Sequence, residues 1–336
     1  MKGQFIKTIA PTLLLLTCIT FASAQEKERK ALVIDALGKG ISFLSNIQRA
    51  DGAICDTSNA LFDIWETVLA ATALYQIKQD TNQPALKKAL SFLRENENPS
   101  GLICHNKKCR NEFCLETTSV YYTLLFEIGK GENVRKGAEG IAAMQKPTGQ
   151  WAIGNPDISE QKEFPSVTAF VLNMLNKAGV APPYKKENYT WLSDKQTLDG
   201  DWGHAWEYYN SPAYALWPMM KTLNNKSAEK EKALNYILSR QQKDGGWSLN
   251  DSFIKRTISP ELHTALMLSA LYNAGFNNKK VIDKGIDFLL SKQSEKGCWD
   301  GGYFPIPVDR YIKKEYVFAT ALSMSVLISY LHSHLN

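Results

Sequence analysis

No stretch of the 336-residue chain holds the roughly 18 to 20 uninterrupted apolar residues that a membrane-spanning helix needs. A transmembrane segment is therefore not expected. Charge of one sign is also scarce, because 39 Lys and Arg against 34 Asp and Glu leave a net charge of +5. So mild an imbalance excludes the basic face that nucleic acid or an anionic bilayer selects. The basic residues are spread along helical segments such as Lys226 to Lys232, as on a solvated face.

What apolar clustering exists begins near the N-terminus. Lys2 and Lys7 precede an apolar stretch from about Thr12 to Ala22, and Ala22-Ser23-Ala24 offers the small-x-small pattern of a secretory cleavage site. Residues 1–24 are read as a leader cleaved after Ala24, which makes the mature protein secreted or periplasmic. Loss of Lys2 and Lys7 takes the charge from +5 to +3. A lipoprotein cleaved before Cys18 is the alternative, although Thr17 is large for the position before such a cysteine.

Through the rest of the chain runs a pattern repeated six times. Gln or Glu stands at 48, 97, 145, 196, 241 and 293, Gly follows four residues later, and Trp or Ile two residues after that. The copies are spaced by 49, 48, 51, 45 and 52 residues, the range in which one supersecondary unit is repeated. Each unit needs its neighbours to bury an apolar face, so residues 25–336 are read as one domain.

The segment before each copy is amphipathic: in the last one, Val281, Ile282, Ile286, Leu289 and Leu290 recur at helical spacing between charged residues. The segment after it, as in ELHTALMLSALYNAG and FATALSMSVLISYL, is apolar nearly all round and must be buried on most sides. Pro165, Pro212 and Pro260 suit the first turns of three such helices, and Gly179 and Gly275 the ends of two. A Thr marks most of these first turns, at 67, 117, 168, 264 and 320. Alternation of this kind predicts an all-α (α/α)6 toroid, with six apolar helices ringed by six amphipathic ones and every inner N-terminus at one end.

The Gln-x3-Gly-x-Trp elements from Gln145, Gln196, Gln241 and Gln293 resemble the repeats of squalene-hopene and oxidosqualene cyclases, with looser likeness to protein prenyltransferase β subunits. Asp63-Ile64-Trp65-Glu66-Thr67 resembles the start of an inner helix in the cyclases. The Gln and Trp side chains themselves are read as structural, the amide satisfying free groups at helix ends and the indole packing over it.

The resemblance implies an apolar central cavity that binds or cyclises an isoprenoid or similar hydrophobic molecule. It also implies an acid in an Asp-x-Asp-Asp element just before the inner-helix Thr, and that element is missing here. Glu66 and Glu116 stand at the corresponding places, with Asp63 one turn earlier. These three, together with His263 at the place of a prenyltransferase zinc ligand, are the catalytic candidates. The other ligands of that zinc set are absent, since Asn210-Ser211-Pro212 stands where they belong, so neither metal nor cofactor is expected.

Trp65, Trp206, Tyr208, Tyr209, Tyr214 and Trp217 are candidates for stacking on a ligand. Asp309, Arg310 and Tyr311, in the longest loop, are candidates to cover the mouth. Cys55, Cys104, Cys109, Cys114 and Cys298 fall on the loop end, where disulfides are the default in an exported protein. A metal site at Cys104-His105 with Cys109 and Cys114 is the alternative. Two other functions remain on the same fold: a noncatalytic binding module, which the missing acid element favours, and a carbohydrate-active enzyme, against which the Gln/Gly/Trp copies argue.

Overall fold

The computed structural model describes residues 9–56, 62–154, 162–203, 211–248, 258–304 and 313–334, with side-chain surroundings from residue 26 onward except at 133, 303, 304, 313 and 314. Twelve α-helices carry the described fold. The outer set is α1 (Ile9–Asn46), α3 (Pro84–Glu95), α5 (Gly131–Ala143), α7 (Lys185–Asp194), α9 (Ala228–Ser239) and α11 (Lys279–Lys292). The inner set is α2 (Asp63–Lys78), α4 (Leu115–Glu127), α6 (Pro165–Ala178), α8 (Pro212–Thr222), α10 (Pro260–Asn273) and α12 (Val317–His334).

Each inner helix packs on the next, from α2 round to α12, and α12 packs back on α2. The ring is closed. On the outside α1 rests on both α11 and α12, so the first repeat adjoins the sixth. The predicted toroid is therefore the observed fold, with one small addition: β1 (Gly302–Phe304) and β2 (Lys313–Glu315) pair antiparallel, Gly302 opposite Glu315, in the loop before α12.

Burial follows the sequence pattern. In α10 every residue from Leu262 to Leu271 is buried, whereas α11 buries only Ile282, Gly285, Ile286, Phe288 and Leu289. Pro165, Pro212 and Pro260 open their helices at the first position, where a missing N–H costs nothing. Gly179 closes α6 at φ 65°, a left-handed conformation that suits glycine.

The repeated element acts as a clamp. The Gln241 amide donates to the Gly245 carbonyl and to the Val281 carbonyl of the next outer helix, each at 2.9 Å. Gln48, Gln145, Gln196 and Gln293 do the same toward Ala85, Tyr184, Glu229 and Ala36. The last of these ties the sixth repeat to the first. Trp151, Trp202, Trp247 and Trp299 each donate Nε1–H to a carbonyl ten residues earlier, at Ile141, Leu192, Ile237 and Leu289. Their structural reading holds.

The inner-helix Thr completes the clamp by accepting the N–H of the Trp-slot residue: Thr67 from Ile54, Thr168 from Trp151, Thr264 from Trp247 and Thr320 from Trp299. In α4 the acceptor is Thr118, which takes the Ile103 N–H at 3.2 Å, rather than the predicted Thr117. That one-residue correction resets which α4 side chains correspond to those of α2.

Candidate functional site

Registered on these threonines, the residue two places earlier is Trp65 in α2, Glu116 in α4, Ser166 in α6, Leu262 in α10 and Phe318 in α12. Ring contacts show where this position points. Trp65 meets Phe170 of α6 at 6.5 Å between centroids and Phe318 at 6.1 Å, while Tyr214 of α8 meets Phe170 at 6.2 Å and Phe318 at 6.3 Å. Helices two apart in a ring of six can share such contacts only across the axis. Trp217 joins the same cluster, 5.1 Å from Phe170.

Aromatic rings thus fill the axis near the inner N-termini, mostly edge to face, as their quadrupoles favour. Toward the opposite end lies a cavity of about 150 Å³, lined by Leu69, Val120, Trp217, Tyr272 and Leu322 among others. That volume is below the roughly 300 Å³ at which small-molecule sites begin.

Glu116 is the one carboxylate among the axial positions just named. Its side chain is buried, and Oε1 accepts no hydrogen bond. Burial pushes the carboxyl up to about 8, against a smaller downward pull from the Tyr214 hydroxyl. Glu116 is therefore mostly neutral at pH 7. Ser166, on the neighbouring helix, is likewise buried with an Oγ that has no hydrogen-bond partner. Ser166, Phe170 and Phe318 are not among the residues the sequence pattern singles out, although counting back two places from each Thr locates Ser166 and Phe318.

Glu66 differs from Glu116. It directly precedes its Thr, so it sits one position off the axial register, and its Oε2 accepts the Asp56 N–H at 2.7 Å. Asp56 in turn accepts the N–H groups of Tyr316 and Val317 at the start of α12, which places Glu66 at the seam between the first and sixth repeats. The two glutamates expected at corresponding places are not equivalent.

Asp63 joins repeats. Its Oδ1 accepts the Lys107 N–H at 3.2 Å, and its Oδ2 lies 3.6 Å from an Arg49 nitrogen. Burial raises its pKa despite that hydrogen bond and the Arg49 charge. His263 shares the off-axis register of Glu66, is buried with Nδ1 unpartnered, and is pushed down to about 3 by burial alone. It faces a cavity with Gln241 and Trp247 of its own repeat. These geometries give Asp63 and His263 structural surroundings.

Cys104 and Cys109 form a disulfide. Cys55, Cys114 and Cys298 are buried free thiols, a correction to the expectation that most would pair. Burial pushes the Cys55 and Cys114 thiols up to about 11 and about 12, which keeps them unreactive. His105 lies with the bonded pair in a compact buried group, which Cys114 does not join. The disulfide loop has a mechanical role: its His105 carbonyl accepts the Trp65 N–H at 3.1 Å, capping the first turn of α2. Trp206, Tyr208, Tyr209, Asp309, Arg310 and Tyr311 lie outside the described residues.

Residues 166–316 match the family model of the squalene-hopene cyclase C-terminal domain. A squalene-hopene cyclase of Bradyrhizobium diazoefficiens is 25% identical over 70% of this chain and 43% of its own length. A lanosterol synthase of Saccharomyces cerevisiae is 37% identical over 30% of this chain and 14% of its own. The chain thus spans less than half the length of these curated relatives. Among solved structures, a type II terpene cyclase from Scytonema in complex with its substrate geranylgeranyl dihydroxybenzoate superposes with a TM-score of 0.73 at 17% identity, covering 90% of this chain and 98% of that one. The resemblance carried by the Gln/Gly/Trp copies stands, in sequence over the matched segment and in fold over nearly the whole chain.

Proposed function

We propose that this terpene-cyclase-like chain is an exported protein that binds a neutral isoprenoid, whose apolar body parts the axial aromatic rings, since the cavity of about 150 Å³ alone does not hold it, and whose head oxygen meets Glu116. The observation that carries the reading is a buried, mostly neutral carboxyl with a free oxygen, beside Tyr214 and in register with Trp65 and Phe318. A carboxylic acid kept neutral at pH 7 by an apolar site donates a hydrogen bond rather than a charge. Ser166 and Tyr214, on α6 and α8, add hydroxyls to the same side of the axis. No cation occupies the axial positions named, so a hydroxyl or carbonyl suits the site better than a diphosphate.

Binding is favoured over initiation of cyclisation by the same acidity. Starting a polyene cyclisation requires protonation of an alkene, and Glu116 at about 8 rather than 4.5 is a weaker acid by about 5 kcal/mol. Aromatic faces suited to stabilising a cation keep a catalytic reading alive as the second choice. Export is supported by the leader pattern before Gln25 and by the Cys104–Cys109 disulfide, which oxidising compartments favour.

Titration of the mature protein with geranylgeraniol, followed by tryptophan fluorescence, tests the proposal. We expect saturable binding that weakens about tenfold in Glu116→Gln, recovery of the alcohol unchanged, and much weaker binding of geranylgeranyl diphosphate. Preference for the diphosphate, or no saturable isoprenoid binding at all, would refute it. A cyclised product would move the assignment to catalysis.

A further inference from the structure

A third cavity, of about 620 Å³, lies on the flank of the ring, between the end of α3, the second-repeat loop, α4 and α5. Its origin is legible in the repeat. In five copies a Cβ added to the clamp glycine would come within 2.6 Å of backbone in the next outer helix: Gly52 at Lys88, Gly149 at Asn188, Gly200 at Lys232, Gly245 at Lys284 and Gly297 at Lys39. At Gly101, the second-repeat glycine, the nearest atom is the Tyr122 hydroxyl at 3.5 Å. α5 stands off from this loop. The cause is Glu97 in the place of Gln, because a carboxylate cannot donate to the carbonyls that the amide ties elsewhere. Glu97 instead accepts from the Tyr121 hydroxyl.

Leu102, Leu125, Val134 and Ile141 form the buried floor of the gap, Met144 is the exposed apolar side chain at its rim, and the volume suits a small amphiphile. Arg94, Lys130 and Lys136 line it, and none of them has an ion-pair partner among the described residues. Three cations outnumber the single carboxylate of Glu97, which is already tied to Tyr121. α5 also holds two glycines facing the gap. Gly137 has a packing reason, since a Cβ there would lie 2.2 Å from the Tyr122 hydroxyl. Gly140 has none: a Cβ would meet nothing within 4 Å, although glycine inside a helix is unfavourable. Its missing side chain leaves room in the cavity.

We propose that this lateral cavity binds a small amphiphile with one anionic headgroup, the chain over Gly140 and against Met144 and the head at Arg94, Lys130 and Lys136. The site is separate from the axial one and does not depend on the isoprenoid reading.

The test is calorimetric titration with dodecyl phosphate below its micellar concentration, with inorganic phosphate and dodecanol as separate arms. Gly140→Leu should place a side chain in the gap, keep or raise the melting temperature, and weaken dodecyl phosphate at least tenfold. Lys130→Ala with Lys136→Ala should weaken it several-fold, while Glu116→Gln should leave it unchanged. Binding in Gly140→Leu equal to that of the unaltered protein overturns the proposal. So does inorganic phosphate or dodecanol binding as tightly as dodecyl phosphate, or no binding of dodecyl phosphate at all.

Discussion

The fifth repeat and the second follow one plan and end differently. In the fifth, Gln241 ties the loop to α11, Trp247 fills the slot and bonds to Ile237, and Thr264 accepts the Trp247 N–H. Gln241, Trp247 and Thr264 all have structural work, and His263 is shut away off the axis. In the second, Glu97 replaces Gln, Ile103 replaces Trp, a disulfide loop is inserted, and Glu116 occupies the axial position. What the fifth repeat spends on clamping its neighbour, the second leaves as a side cavity, a strapped loop and a neutral buried acid. Departure from the repeat, rather than the repeat itself, is what sets the proposed ligand sites apart.

The contrast breaks most visibly at the Trp slot. Trp247→Ala should lower stability by about 3 to 5 kcal/mol, through a large cavity and the loss of the Nε1–H bond to the Ile237 carbonyl. Urea denaturation reads this directly, and a loss under about 1 kcal/mol would mean that the indole clamp does not hold the regular repeats together.

Glu116→Gln sharpens the comparison through its pH dependence. The folded-state pKa of about 8 lies above the ordinary 4.5, so the folded chain holds a proton that the unfolded chain releases. Stability is therefore full below about pH 4.5 and is lost as pH rises toward about 8. The amide cannot ionise. Relative to the unaltered protein, the variant should gain on the order of 2 to 4 kcal/mol between pH 5 and pH 8. Parallel stability curves for the two proteins over that range would show that Glu116 is ionised in the fold.

Cys104→Ser should cost about 2 kcal/mol, the chain-entropy value for so short a loop. It should also speed amide exchange at Trp65, whose N–H is held by the His105 carbonyl. Unchanged exchange there would separate the disulfide from the first turn of α2. The smallest effect compares the clamps themselves. Gln241→Ala should cost about 1 to 2 kcal/mol for its two lost hydrogen bonds, whereas Glu97→Gln, which keeps an acceptor for Tyr121, should stay within about 0.5 kcal/mol. Equal costs at the two sites would erase the distinction between the repeats.

The fold was legible because the clamp is local and repeated. Gln, Gly and Trp lie within seven residues of one another, and each copy corroborates the others. The alternation of amphipathic and wholly apolar helices then dictates two layers. The site was harder to read because it depends on register. Thr117 and Thr118 stand side by side, and only the hydrogen bond from Ile103 shows that Thr118 keeps the register, moving Glu116 to the axis and out of correspondence with Glu66. Tyr214 and Phe318 meet across the ring from positions 104 residues apart, a contact no local pattern announces. Cysteine pairing was illegible for a similar reason: all five fall at one end of the ring, yet only Cys104 and Cys109 face each other closely enough to bond.

The claim beneath these comparisons is that Glu116 carries a proton in the folded protein at neutral pH. Infrared difference spectroscopy of the carboxyl stretch, taken between the unaltered protein and Glu116→Gln over a pH series, measures it directly. A protonated-carboxyl band that belongs to Glu116 is expected at pH 7, disappearing with a midpoint of about 8. A carboxylate band already complete at pH 6 would contradict it.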